Sequence, residues 1–358
     1  MEPFFSLIIS CCDVEPYVRE CLDSVLRQPF ANWECLIGVE TSRDKTEEIV
    51  REYEAKDPRF KVFTGPRSGG CSASRNTGIE RSRGQYVIFL DGDDTIAEGA
   101  LQRLHEQISA RAGADLYPCA IRIRDDITGI YVKSRDNYPA DFDGELTGTS
   151  ATLMIYKRSA APCPMLQMTV FRSEYLKKHN LRCLLGVKWE DNEFSPRALY
   201  LAKRVIPIHE PFYIYRKRGN SISSQSRNSA AFLKDFAVIV KSLLAFHATV
   251  SRSADFERQI SSLWAKQWLN WLYFSWFAPR AVRNIPRKSR IETLCGIFAD
   301  GFGDFDLLCH AAARPRRIAA RFVKLAVQHP AAAWMTDVFF LRIYYPLVSL
   351  RDRLRPTS

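Results

Sequence analysis

No stretch of this 358-residue sequence is apolar for long enough to cross a bilayer. Lys266 breaks the aromatic run near residue 270, and Asp337, Arg342 and Pro346 break the one near 340. The first apolar segment, Phe4 to Cys12, is short and lacks the basic start and small-residue cleavage site of a secretory leader. It reads instead as a buried strand. The sequence also lacks a CxxC pair, an internal repeat and a low-complexity tract. Its ten cysteines therefore suggest no metal finger, and Cys11, Cys35 and Cys119 fall inside apolar strand-like runs. A thiol there behaves as a small hydrophobe, so a reducing cytoplasm is expected rather than a disulfide framework. No nucleic-acid-binding motif is present, and nucleic acid is not an expected partner.

What is present divides unevenly. The length suits a catalytic domain of about 200 residues plus a smaller unit. From Ala230 onward nineteen Lys and Arg stand against nine Asp and Glu, which leaves the first 229 residues almost neutral out of a total of +11. A neutral half followed by a basic tail invites an anionic partner for the tail, such as a membrane surface or a phospholipid-linked substrate.

Hydrophobic periodicity gives the order of elements. Ser6 to Cys11 reads as a strand, and Val14 to Gln28 as a helix with Val18, Leu22, Val25 and Leu26 on one face. Trp33 to Gly38 (strand), Lys45 to Ala55 (helix), Phe60 to Phe63 (strand), Ser72 to Arg81 (helix) and Tyr86 to Leu90 (strand) follow. This alternation predicts an α/β fold, a doubly wound, mostly parallel mixed sheet. Residues 115 to 185 mix short strands with polar loops and give no clear pattern. After Asn228 the patterns become long and helical, so the expected domains are 1–228 and a helical, basic, aromatic-rich extension over 229–358.

The strongest local signal follows the fourth strand. Tyr86-Val87-Ile88-Phe89-Leu90 runs into Asp91-Gly92-Asp93-Asp94 at what would be the carboxyl end of a strand, where open α/β sheets bind ligands. Three carboxylates so placed repel one another unless a cation sits among them, and oxygen ligands suit Mg²⁺ or Mn²⁺. The competing reading is an amino-terminal cap, with Asp93 or Asp94 opening a helix at Ile96.

Upstream, SGGCSASRNTGI followed by RGQYVIFLDGDD resembles the GPSAARNxGI…GEYIxFLDxDD segment of family 2 glycosyltransferases of the GT-A type. Arg75, Asn76, Gly78, Gly84, Asp91, Asp93 and Asp94 match by position. The opening SLIISCCDVEPYVRECLDSVLRQPFANWECLIGV resembles the start of the same family. The resemblance implies a bacterial surface-polysaccharide enzyme with a nucleotide-sugar donor, a divalent metal, and a glycan or lipid-linked acceptor. It assigns Asp91, Asp93 and Asp94 to the metal, and Ser10, Cys12, Glu40, Arg75, Asp91, Gly92 and Arg218 to the donor.

A second acidic site, Trp189-Glu190-Asp191-Asn192-Glu193, is similar to the family's ED motif. Inversion at a sugar carbon requires a carboxylate that takes the acceptor's proton as its hydroxyl attacks opposite the leaving diphosphate. Position assigns that role to Asp191, with Glu190 in support. In isolation the same residues would read as an exposed acidic helix start. The segment AKRVIPIHEPFYIYRKRGNSIS, similar to the family's AxRIxxIxEPLYxYRxHxxSxS, follows at the expected distance.

Three departures bear on the donor. Cys12 and Asp13 stand where the family has an aromatic and Asn. Val39-Glu40-Thr41-Ser42 replaces DDGS, so a uridine donor is implied by resemblance alone. Arg218 stands where a His is common, and reads either as a fixed cation on the diphosphate or as a surface arginine.

In the tail, Trp264, Trp268, Trp271 and Leu272 share one helical face, with Arg280, Arg283, Arg287, Lys288 and Arg290 close behind. Arg314, Arg316, Arg317, Arg321 and Lys324 form a second basic group. The tail reads as the core of a helical unit or as an interfacial surface on an anionic membrane, which would place the chain on the inner face of the plasma membrane. Two other classes share the acidic motif, a nucleotidyltransferase and a nucleotide-binding module without turnover.

Overall fold

The central strands form because their sequences are apolar without interruption, the pattern of strands covered on both faces. In the computed structural model, which describes residues 2–66, 71–158, 166–219 and 230–250, β1 (Phe5–Cys11) and β2 (Trp33–Glu40) are buried at every position. β3 (Phe60–Gly65) lies at the sheet edge and is half-exposed, while β4 (Tyr86–Asp91) is buried up to its last residue. The order β3-β2-β1-β4 is parallel throughout.

Helices cover these strands. α1 (Glu15–Leu26) buries Val18, Cys21, Leu22 and Val25 at helical spacing. Its first N–H groups, which no turn of the helix can satisfy, are met from a distant loop. Val14 N–H donates to Thr46 Oγ1 at 2.9 Å and Glu15 N–H to Asp44 Oδ2 at 3.0 Å. α2 (Thr46–Lys56) packs beside α1, and α3 (Ser72–Arg81) crosses β1 and β2. At Gly84 the chain passes so close to Ser6 that an added Cβ would stand 2.7 Å from its backbone nitrogen. Gly84 N–H meets Ser6 Oγ at 2.9 Å.

The second half turns the sheet antiparallel in part. β5 (Thr95–Ile96), α4 (Ala100–Ala110), β6 (Leu116–Asp125), β7 (Tyr131–Arg135), α5 (Gly148–Arg158), β8 (Thr169–Arg172), α6 (Ser173–Lys178), α7 (Asp191–Leu201) and β9 (Ile208–Lys217) follow in chain order. β8 joins β4 and β6 antiparallel, while β9 lies parallel to β6 and antiparallel to β5. β6 is the hinge of this arrangement. Leu116 to Pro118 pair with β8, and residues from Cys119 onward pair with β9 and then β7. The mostly parallel character expected from the sequence belongs to the first four strands. The complete sheet is mixed.

The helix expected at Ile96 does not form. Residues 95–96 are strand, and α4 starts at Ala100 behind Gly99 in the left-handed region. Asp93 and Asp94 therefore cap nothing.

The chain divides into two units, Met1–Ser221 and Ile222–Ser358. In the second, α8 (Ala230–Thr249) is described, with Ile239 and Leu243 buried. The tail residues Trp264 to Trp276, Arg280 to Arg290 and Arg314 to Lys324 lie outside the described residues, as do Ser68, Gly69 and Gly70. Among the described residues no helix is long and apolar enough to cross a membrane. Among the described residues Cys11, Cys35 and Cys119 stand within their strands as thiols outside any disulfide.

Candidate functional site

The carboxyl ends of β1, β2 and β4 come together, since the three strands run parallel and in register. Ser10 pairs with Asp91 across this end, and Glu40 is the last residue of β2. Ser10 Oγ is buried without a hydrogen-bond partner among the described residues. Gly92 N–H donates to the Ser10 carbonyl at 3.0 Å, and a Cβ there would meet Cys11 Sγ at 2.7 Å. The loop after β4 is thus held flat against β1.

Arg75, on the first turns of α3 and only 2% exposed, links the two acidic motifs. Its guanidinium donates to Asp91 Oδ1 at 2.6 Å and to Glu190 Oε1. Sequence resemblance gave Arg75 to the donor; in the structure it is committed to these two carboxylates. Asp91 Oδ2 is met by Gln167 Nε2 at 2.7 Å. Gln167 was not singled out from the sequence, because the stretch around it carries no periodic or motif signal.

The segment before α7 is pinned to α3. Asn76 Nδ2 donates to the Cys183 carbonyl at 2.8 Å and Asn76 Oδ1 accepts the Cys183 N–H at 2.7 Å. Ser72 Oγ donates to the Leu184 carbonyl at 2.8 Å. Trp189 then takes a φ of 67°, a left-handed conformation unusual for a bulky residue, and turns the chain into α7. Glu190 (7% exposed) and Asp191 stand at its start, so this is not an exposed acidic helix start.

Burial, followed by the neighbouring Glu190 charge, pushes the Asp191 carboxyl up to about 6, while Arg75 pulls the other way. A helix amino terminus favours a carboxylate by at most about 2 kcal/mol. A rise from 3.8 to about 6 corresponds to roughly 3 kcal/mol net against the charge, so burial wins.

Asp93 and Asp94 diverge. Asp93 Oδ2 pairs with Arg218 at 2.5 Å, and the Arg218 guanidinium lies 4.8 Å from the centroid of the Tyr17 ring. Asp94 turns inward, where both oxygens are taken: Tyr213 OH donates to Oδ2 at 2.5 Å and Arg216 N–H to Oδ1 at 2.7 Å. Burial, then Asp93 and Asp91, hold the Asp94 carboxyl well above the usual carboxylate range. Asp94 braces the loop against β9.

Arg216 completes this brace through the Asp93 carbonyl, Asp126 and Glu20 at 2.8, 2.9 and 2.5 Å. Tyr213 and Arg216 lie within the FYIYRKR segment already noted, but no burial period along β9 singles them out. Arg218 is one-fifth exposed and ion-paired, not a free surface arginine.

Among the described residues no three candidate ligands gather as a metal site, since Asp91 is held by Arg75 and Gln167, Asp93 by Arg218 and Asp94 by Tyr213 and the Arg216 N–H. Asp91 and Asp93 offer hard carboxylate oxygens at the strand end. Burial, then Asp91, hold the Asp93 carboxyl above the usual range even with Arg218 alongside. The altered loops are tied together: Asp13 N–H donates to Ser42 Oγ at 3.2 Å and Asp13 Oδ1 accepts the Arg43 N–H at 2.8 Å. Cys12 and Glu40 flank that junction.

The sequence model of Glycosyl transferase family 2 matches residues 6–179. Through this segment the chain is similar to glycosyl transferase family 2. The glycosyltransferase EpsJ of Bacillus subtilis (strain 168) is 30% identical over 230 residues, covering 62% of this chain and 64% of that protein. The chain thus spans less than two thirds of that relative. Among solved structures, the fold resembles that of S. aureus TarS 1-349 in complex with UDP-GlcNAc. The TM-score is 0.70 at 18% identity, over 100% of this chain and 93% of that one. A mannosyltransferase of Pyrobaculum calidifontis, in complex with GDP-Man and Mn²⁺, gives 0.50 at 17% identity over 99% of this chain and 88% of that one.

Proposed function

We propose that this chain is an inverting glycosyltransferase that moves a sugar from a uridine diphosphate donor onto a hydroxyl of a glycan or lipid-linked acceptor in surface-polysaccharide synthesis. The observation that carries it is the join between the two acidic motifs. Arg75 binds Asp91 and Glu190 at once, which fixes the donor-side loop and the carboxyl of Asp191 in one cluster. The match to the family 2 model and the UDP-GlcNAc bound to TarS support the donor class.

In this reading Asp191 accepts the proton of the attacking hydroxyl. A base poised near neutrality is effective because it is ionised at working pH yet still holds a proton once it has one. The neighbouring Glu190 raises the Asp191 carboxyl and so strengthens it as a base. Ser10 Oγ and the Gly92 backbone line the donor floor, and Cys12 and Glu40 border the nucleoside end. Asp91 and Asp93 would hold the metal, and Asp94 supports the loop from behind. Bound there, Mg²⁺ or Mn²⁺ supplies positive charge to the departing diphosphate. Arg218, beside Asp93, would offer a fixed cation to the same phosphate oxygens.

Calorimetric titration of nucleoside diphosphates with and without Mn²⁺ tests the donor site. We expect UDP to bind at least tenfold more weakly after chelation, and Asp93→Asn to reproduce that loss with Mn²⁺ present. Binding of UDP that ignores both metal and Asp93 would remove the assignment. Turnover tests the rest: a nucleotide-binding module would bind UDP in wild type and Asp191→Asn alike and transfer nothing in either.

A further inference from the structure

Large apolar side chains rarely stand in water together, and here they do so in one place. Among the described residues six are markedly exposed: Ile127 (93%), Ile130 (63%), Leu185 (61%), Val132 (52%), Tyr131 (50%) and Val238 (43%). Four of these belong to the turn and second strand of the β6–β7 hairpin.

The tip is an organised turn. Asp125 Oδ1 accepts the N–H groups of Ile127 and Thr128 at 3.2 and 3.1 Å and the Thr128 hydroxyl at 3.1 Å. Gly129 takes a φ of 69° and returns its N–H to the Asp125 carbonyl at 2.9 Å. The local hydrogen bonds hold Ile127 and Ile130 outward.

Basic residues surround the tip. Arg122 and Lys133 are exposed, Arg122 lies 5.6 Å from the centroid of the Tyr131 ring, and Arg135 and Lys217 flank the base. None of these four cations forms an ion pair among the described residues, whereas the acids nearby are committed. Asp125 closes the turn, Asp126 pairs with Arg216, and Glu20 pairs with Arg124 and Arg216. The exposed hairpin therefore presents apolar side chains inside a positive rim.

Two occupants would use such a surface, a second copy pairing along β7 or an anionic bilayer. Self-pairing is opposed by the hairpin's own features. Lys133 sits at the centre of the five-residue edge strand, the ladder to β6 is irregular at Ile123/Arg124, and two copies would oppose like charges. Apolar side chains with a basic rim match the interface of an anionic membrane.

We propose that the β6–β7 hairpin inserts its tip, Ile127 to Val132, among the headgroups of an anionic phospholipid bilayer. Arg122, Lys133, Arg135 and Lys217 then meet lipid phosphates. The base is tied to the candidate site, since Arg216 binds Asp126 and the Asp93 carbonyl together. Insertion would hold the acidic cluster beside the lipid surface. The proposal stands apart from the transfer reading, because its readout involves no sugar.

The test uses the full chain and vesicles of phosphatidylcholine, alone or in equal parts with phosphatidylglycerol. Wild type, Ile127→Ser/Ile130→Ser and Lys133→Glu would be compared by co-sedimentation, and hydrogen exchange of residues 127–132 followed with and without vesicles. We expect wild type to favour the anionic vesicles and the tip amides to slow on binding. The double serine variant should partition about tenfold more weakly, given what two isoleucines contribute on burial. Lys133→Glu should weaken binding to the anionic vesicles alone. The basic tail is common to all three proteins, so equal partition with unchanged tip exchange would overturn the proposal. So would a wild-type dimer that becomes a monomer in the double variant, because the occupant would then be a second copy. Thermal melts exclude misfolding, and substitutions this exposed usually stay within about 0.5 kcal/mol.

Discussion

Asp191 carries charge against its surroundings, and two expectations follow. Its carboxyl is raised by burial and Glu190, opposed by Arg75 and further raised by Asp91. As a base it must be ionised, so kcat should fall as pH drops through about 6, and Asp191→Asn should lose 10²- to 10⁴-fold or more. Stability moves the other way. A carboxyl raised on folding favours the folded state least at high pH, where the folded protein holds an unwelcome charge, and this cost disappears below the unfolded value near 3.8. Asp191→Asn should therefore unfold at higher denaturant than wild type at pH 8, by up to roughly 3 kcal/mol, and match it near pH 3.5. Equal stability at both pH values would show that the carboxyl is not displaced.

Arg75 gives a complementary expectation. Arg75→Lys keeps the charge but cannot fork to both Asp91 and Glu190, leaving a buried acid short of its partner. We expect a loss of about 3 kcal/mol in urea unfolding, in line with other broken buried pairs. Both acids were legible as motif residues. That one arginine joins them, and that Gln167 holds the far oxygen of Asp91, was not, because 76 and 115 residues separate the partners of Asp91–Gln167 and Arg75–Glu190.

At the scale of elements, two glycines separate packing from flexibility. Gly84→Ala would force a Cβ against the Ser6 backbone, which cannot rotate away, and should cost about 2 kcal/mol. Gly65→Ala, at the end of the edge strand β3 with nothing within 4 Å, should be neutral or stabilise by about 0.5 kcal/mol. Thermal unfolding of the two variants decides between a packing role and a general loss of backbone freedom. The elements up to β4 were readable because each is long, periodic and paired with near neighbours. The stretch from 115 to 185 was not, since β6 divides its length between β8, β7 and β9 and no local period encodes three partners. The competing reading of Asp93 or Asp94 as a cap fails for a similar reason: β9, more than a hundred residues on, claims Thr95 and Ile96 as a strand.

For the molecule as a whole, charge distribution sets its response to salt. The excess of +11 lies almost entirely after residue 229, while the β6–β7 hairpin carries a local basic rim of its own. Attraction to an anionic surface should weaken as the screening length falls from about 10 Å at 0.1 M salt to about 3 Å at 1 M. If the hairpin enters the lipid, a fraction of vesicle binding should survive at 1 M salt in wild type and vanish in Ile127→Ser/Ile130→Ser. Co-sedimentation at both salt concentrations measures this directly.

The strand–helix alternation up to β4, the acidic cluster at the end of β4 and the second acidic motif were readable without the fold, because hydrophobic period and short motifs are local properties of the chain. Only the tertiary structure decided how the three aspartates divide their work. Asp91 joins Arg75, Asp93 meets Arg218, and Asp94 turns inward to Tyr213 and Arg216. The physical reason is that neighbouring carboxylates in one loop have equal chemistry, and each acquires its role from whichever distant donor the fold brings within reach of its oxygens.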